Sequence, residues 1–165
     1  MTSKGTIRFE RSYRASIEDV WALWTTKKGF ESWWGPEGFE TKVIKLELEI
    51  GGELRYAMTA TAPVQIEFMR KAGMPLSQEA GGRFTEVVPL RRLVLVQRMD
   101  FIQGVEPYET TARVDLEASG DSVKMTLTLD ALHSEDWTKR AAMGWESQLG
   151  KLSRILPAAK AAPAG

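Results

Sequence analysis

The stretch from Ser134 to Leu156 constrains the fold more than any other part of the chain. Trp137, Ala141, Trp145, Leu149, Leu152 and Leu156 recur at steps of three and four residues, the spacing of one face of an α-helix. Ser134 stands at the N-cap position and Glu135-Asp136 follow it, so the free N–H groups of the first turn meet an acceptor and negative charge. Pro157 is expected to stop this helix after about six turns. A helix of this length with one apolar stripe must bury the stripe against another layer.

The rest of the chain supplies that layer. Ile7, Phe9, Arg11 and Tyr13 alternate with Arg8, Glu10, Ser12 and Arg14, the period of a half-buried strand. Ser16 then caps a short helix whose inner face is Val20, Trp21, Leu23 and Trp24, and a second short helix runs from Lys27 or Lys28 to Trp33 before Gly35-Pro36-Glu37-Gly38. Strand-like segments follow at 39–48, 54–60, 83–88, 93–99, 108–117 and 123–129, joined by turns such as Gly51-Gly52, Pro89-Leu90-Arg91 and Ser119-Gly120-Asp121. Short turns between alternating runs predict an antiparallel meander. Residues 62–81 interrupt it. Pro63 suits a helix start and Gly73 a stop, so this insertion is expected to form a short helix, either lying over a pocket or patching one end of the core. The expected architecture is α+β: a curved antiparallel sheet of about seven strands around a long C-terminal helix, with two short helices after the first strand. Residues 1–157 form one domain in this reading, and 158–165, rich in Ala, Pro and Gly, a disordered tail.

Composition narrows the function. The 165 residues carry 22 Lys plus Arg against 22 Asp plus Glu, without the basic excess of a nucleic-acid binder. No run approaches the roughly 20 apolar residues of a membrane span, and the N-terminus lacks a signal-peptide core, so a cytoplasmic protein is expected. There is no Cys, which removes disulfides, thiolate nucleophiles and Cys-ligated metals, and His133 is the only His. A protein metal site and a cofactor are therefore not expected.

The ordered residues resemble the START-like or SRPBCC superfamily, and within it the bacterial AHSA-type proteins, named for similarity to the C-terminal domain of the heat shock protein 90 ATPase activator. The residues that carry the resemblance are Val20-Trp21, Trp33-Trp34-Gly35-Pro36, Gly51-Gly52, Leu54-Arg55-Tyr56-Ala57-Met58, Gly82-Arg83-Phe84-Thr85-Glu86-Val87, Pro89-Leu90-Arg91-Arg92-Leu93-Val94, and Met143-Gly144-Trp145 with Leu149. They span about residues 6 to 156. Two features depart from the pattern: Glu49 stands where Arg is frequent, and the 62–81 insertion exceeds the family minimum. The resemblance implies a helix-grip (START-like, Bet v 1-like) fold with a hydrophobic cavity. Members bind lipids, sterols, polyketides or plant hormones, some are cyclases, and some contact a chaperone in stress response. Fold alone does not choose among these.

The candidate ligand-binding residues are Trp24, Trp33, Trp34, Tyr56, Met58, Phe84, Glu86, Tyr108, Trp145, Gln148 and Leu149. The aromatics among them fit a cavity wall and equally fit plain core packing. Glu86 shares a strand face with Phe84 and Val88 by alternation. If that face is inward, Glu86 is either a pocket acid with a raised pKa or the ion-pair partner of Arg11. Glu86 and Tyr108 are the candidate catalytic residues. Gln97 and Gln148 are candidates for orienting a ligand polar group, against placement on the rim or surface. His133 is a candidate base or a structural junction residue. Arg55, Arg83 and Arg98 alternate onto the outer face. The leading expectation is a binder of a small hydrophobic or aromatic ligand, monomeric or homodimeric, rather than an enzyme. A polyketide-cyclase- or hydratase-like enzyme and a chaperone-interacting module are the alternatives.

Overall fold

A computed structural model describes residues 5–99 and 104–156. The elements run β1 (Thr6–Tyr13), α1 (Ile17–Thr25), α2 (Lys27–Trp33), β2 (Phe39–Leu46), β3 (Glu53–Ala60), α3 (Pro63–Lys71), β4 (Ser77–Val88), β5 (Arg92–Met99), β6 (Tyr108–Ser119), β7 (Ser122–Asp130) and α4 (Glu135–Ile155). The seven strands form one antiparallel sheet in the order β1-β7-β6-β5-β4-β3-β2. Every neighbour is a sequence neighbour except β1, which returns to pair with β7. Among the described residues no helix is long and apolar enough to cross a membrane. Pro157 and the 158–165 tail lie outside the described residues.

Local chemistry explains the helix ends. Ser16 Oγ accepts the N–H of Asp19 at 3.1 Å and Ser134 Oγ accepts that of Trp137 at 3.2 Å, so both predicted caps are made. Thr26 ends α1 and caps α2, its Oγ1 accepting the N–H of Gly29 at 3.0 Å. α3 begins with Pro63 in its first turn and has no side-chain cap, a position where the missing N–H costs nothing.

Two strand features depart from simple alternation. β4 begins at Ser77, earlier than the Arg83 start expected from the hydrophobic pattern. Residues 77–82 lack apolar alternation and are held by backbone pairing, Ser77 opposite Thr59 and Gly82 opposite Leu54. Gly81-Gly82 therefore lies inside a strand instead of ending an insertion. A Cβ on Gly81 would stand 2.0 Å from the Leu54 carbonyl oxygen and one on Gly82 2.1 Å from that of Val96, so the flanking strands approach too closely for any larger residue. Further along, the β4–β5 register shifts between Phe84 and Glu86. This bulge inserts one residue and reverses the facing of the strand residues beyond it. Phe84 is buried and Val87 packs on the core, while Glu86 turns to the opposite face.

The core lies between the concave face of the sheet, α1, α2 and the second half of α4. Val20, Trp33, Leu54, Phe84, Val114, Met125, Leu127, Leu149 and Leu152 are among its most deeply buried side chains. The convex face is laced by ion pairs. Arg92 reaches Asp115 at 2.7 Å and Glu86 at 3.2 Å, Arg113 reaches Asp115 at 2.8 Å, and Arg83 pairs with Glu109. These side chains are solvent-exposed to varying degrees and add little stability each.

Candidate functional site

Between α4 and the sheet lies a cavity of about 400 Å³, within the usual range for small-molecule sites. Its floor is built from alternate inward residues of five strands: Ile7 of β1, Leu129 of β7, Ala112 of β6, Gln97 of β5 and Met58 of β3. Its roof is one face of α4: Ala141, Gly144, Trp145 and Gln148. The spacing of these four is helical, and two of them have almost no side chain, so the roof stands off from the floor. Pro36 closes one wall.

The loop carrying Pro36 is strapped to α4. Gly35 N–H donates to Gln148 Oε1 at 2.9 Å, Glu37 N–H donates to Ser147 Oγ at 2.9 Å, and Lys151 Nζ donates to the Phe39 carbonyl at 2.8 Å. Arg154 pairs with Glu37. Partial burial pulls the Lys151 ammonium below its ordinary pKa, against the opposing field of Glu37.

A second cavity of about 550 Å³ adjoins the first, sharing Met58 and Gln97 as walls. Tyr56, Phe39, the 78–81 segment of β4, Met69 of α3 and Arg98 of β5 complete it, so Arg98 borders a cavity as well as the outer face expected for it. Gln97 Nε2 donates to Tyr56 Oη at 3.1 Å where the two cavities meet. Burial pushes the Tyr56 phenol up from its ordinary pKa, and hydrogen bonding to Trp34 and Gln97 pulls part of the way back.

The structure sorts the sequence candidates. Met58, Trp145 and Gln148 line the first cavity, and Tyr56 and Met58 the second. Trp24, Trp33, Trp34, Phe84 and Leu149 are buried in the core instead. Trp24 Nε1 donates to Met125 Sδ at 3.4 Å and Trp33 Nε1 to the Leu23 carbonyl at 2.7 Å, contacts that anchor the rings where they are. Trp34 joins them to the cavity, its ring 5.1 Å from that of Trp145 and 5.3 Å from that of Trp33.

Glu86 is a correction. The β4 bulge puts it on the convex face with Arg92, and Arg11 pairs instead with Glu146 of α4 at 3.0 Å. Tyr108 lines neither cavity. Its Oη accepts the His133 N–H at 3.3 Å and lies 2.8 Å from His133 Nδ1. These contacts fasten β6 to the start of α4.

Sequence reading missed Ala141, Gly144, Ala112, Leu129 and Ile7 as cavity wall, and gave Gln97 a rim or surface place. The available signal was the absence of bulk: Ala141 and Gly144 sit at helical spacing beside Trp145 and Gln148, and small residues on a core-facing stripe leave space.

A seven-stranded antiparallel sheet holding one long helix, with two short helices after the first strand, defines a helix-grip protein. The family described as Activator of Hsp90 ATPase homolog 1-like protein matches residues 14–157, and the chain belongs to it. A crystal structure of a Chromobacterium violaceum protein is similar at TM-score 0.73 and 21% identity, covering 92% of this chain and 97% of that one. An AHSA1 protein from Silicibacter pomeroyi is similar at TM-score 0.71 and 19% identity, covering 92% and 96%. A Staphylococcus epidermidis protein solved by NMR is similar at TM-score 0.70 and 19% identity, covering 94% and 92%. At these identities the likeness is one of fold. No curated protein matches the chain.

Proposed function

We propose that the protein binds a small hydrophobic or aromatic molecule, of lipid, polyketide or flavonoid type, in the cavity between the sheet and α4. The observation that carries this reading is the roof of that cavity. Ala141 and Gly144 give up the packing that Leu149 and Leu152 provide about two turns later, and a core with no ligand to admit gains nothing from that space. Met58, Trp145 and Gln148 are the contacts proposed for the ligand, with Tyr56 and Gln97 at the entry to the second cavity.

Binding is favoured over cyclase- or hydratase-like catalysis by the placement of the carboxylates. Glu86 faces outward, and Asp130, the one carboxylate along the first cavity among the described residues, accepts the Thr111 N–H at 2.9 Å.

Tryptophan fluorescence reports on this site directly, because Trp145 borders the cavity and its ring lies 6.4 Å from that of Trp24. Titration with flavonoids, sterols, fatty acids and polyketides is expected to give saturable quenching for one class, with a raised melting temperature. At 100 times the dissociation constant the stabilisation is about 2.7 kcal/mol. Ala141→Leu, which fills the roof, is expected to abolish the quenching while the protein stays folded. Silence across the panel would overturn the reading and move attention to a protein partner.

A further inference from the structure

We propose that the cavity under α4 selects a ligand with a neutral hydroxyl group, held between Gln97 Oε1 and the Thr110 hydroxyl on the floor. This rests on the binding reading above and gives the ligand a chemical class. Gln97 of β5 and Thr110 of β6 lie directly opposite each other across the two strands. Their side chains therefore stand on one face of the sheet, with Cβ atoms roughly 5 Å apart. Both border the cavity and both are half-buried. The pairs beside them towards the core, Leu95 with Ala112 and Leu93 with Val114, are apolar and buried. On its other flank Gln97 pairs with Gly82, which has no side chain to cover the amide.

Each of the two side chains has a polar atom that the fold leaves unused. Gln97 Nε2 is taken up by Tyr56 Oη at 3.1 Å, which leaves Oε1 as an acceptor. Among the described residues neither Gln97 Oε1 nor Thr110 Oγ1 has a hydrogen-bond partner. Neither is sealed in the interior, as the unpartnered Tyr13 Oη and Gln148 Nε2 are. A hydroxyl answers both at once, giving its proton to Gln97 Oε1 and taking one from Thr110 Oγ1. A carbonyl has no proton for Gln97, and an ammonium has no lone pair for Thr110. A carboxylate lacks the proton too, and would meet Asp130 in a cavity that no Lys or Arg borders among the described residues.

The test is a matched pair, 2-naphthol and 2-methylnaphthalene, in which a hydroxyl is exchanged for a methyl of similar size. Equilibrium dialysis measures both against the wild type, Gln97→Met, Thr110→Val and Thr110→Ser, and the readout is the ratio of the two dissociation constants. Gln97→Met keeps the length of the side chain and loses the acceptor. Thr110→Val keeps the shape and loses the hydroxyl. Each is expected to shift the ratio about tenfold against naphthol, the factor one good hydrogen bond makes, with methylnaphthalene binding nearly unchanged. Thr110→Ser retains a hydroxyl and should keep the wild-type ratio. If Gln97→Met fails to fold for want of its contact with Tyr56, the Thr110 variants decide the matter. A ratio that either substitution leaves unmoved would overturn the hydroxyl assignment, and cavity binding would stand because both compounds still bind. Binding of neither compound by the wild type would overturn the assignment as well. The cavity reading itself falls only if the wider ligand panel is silent.

Discussion

The two halves of α4 face the same sheet and do opposite things. From Gln148 onward the inward residues are buried: Leu149 and Leu152 belong to the same core as Tyr13, Val123 and Met125. Before Gln148 no residue of the helix is buried, and Ala141, Gly144 and Trp145 stand over open space. The stripe is continuous in sequence, so helix formation needs both halves, but only one half fills the interior. One end of the grip supplies stability, and the other holds a volume that a ligand can use.

The sharpest way to break this contrast is to truncate one residue at each end. Leu152 is fully buried, and Leu152→Ala is expected to destabilise the protein by about 2–5 kcal/mol in denaturant titration. Trp145→Ala removes more atoms but leaves a wall that is already half open, and is expected to cost about 1–2 kcal/mol. A cost for Trp145→Ala equal to or above that of Leu152→Ala would mean that both ends are packed alike.

Much of this architecture is legible in the sequence, because its signals are local. Ser16 and Ser134 announce helix starts, and strict alternation announces β1 and β7. The cavity is less legible, because it is made by side chains that are absent. Ala141 and Gly144 look like neutral helix residues until Leu129 and Ala112 are seen across from them. Glu86 shows a different limit. Its alternation with Phe84 is real in the sequence, but the bulge after Phe84 changes the face, and a bulge leaves no mark on a hydrophobic pattern. Gly81 reads as the end of an insertion, whereas the close approach of β3 and β5 requires both Gly81 and Gly82 within a strand.

Tyr56 is buried beside Phe30 and Trp34 and lines the second cavity. Tyr56→Phe removes its hydrogen bond with Gln97 and is expected to cost about 1 kcal/mol. The phenol also makes stability depend on alkaline pH. Its pKa in the folded protein is raised above the ordinary 10.0. The stability it contributes is therefore fully present below pH 10.0 and is lost as pH rises from there through the folded value. Burial raises Tyr13 in the same way. The denaturation midpoint of the wild type should fall above pH 10.0, with phenolate absorbance from these residues growing in step with unfolding. Tyr56→Phe should fall less steeply, retaining the Tyr13 share. Ionisation of both groups ahead of unfolding would show that this region admits water more freely than the core.

The smallest expected effect separates helix propensity from packing at the open end. Gly144 and Gly150 both lie inside α4, and a Cβ at either would meet nothing within 4 Å. Gly144 borders the cavity; Gly150 does not. Alanine at either position restricts the unfolded chain and removes a helix penalty of about 0.8–1.0 kcal/mol. If the roof stands clear of the floor, the methyl of Gly144→Ala gains no packing and the two variants should raise the melting temperature equally. A larger gain at Gly144 would mean that the roof settles onto the floor in solution and the methyl fills a contact. The cavity would then be narrower than its walls allow here, and the division of α4 into a packed half and an open half would have to be redrawn.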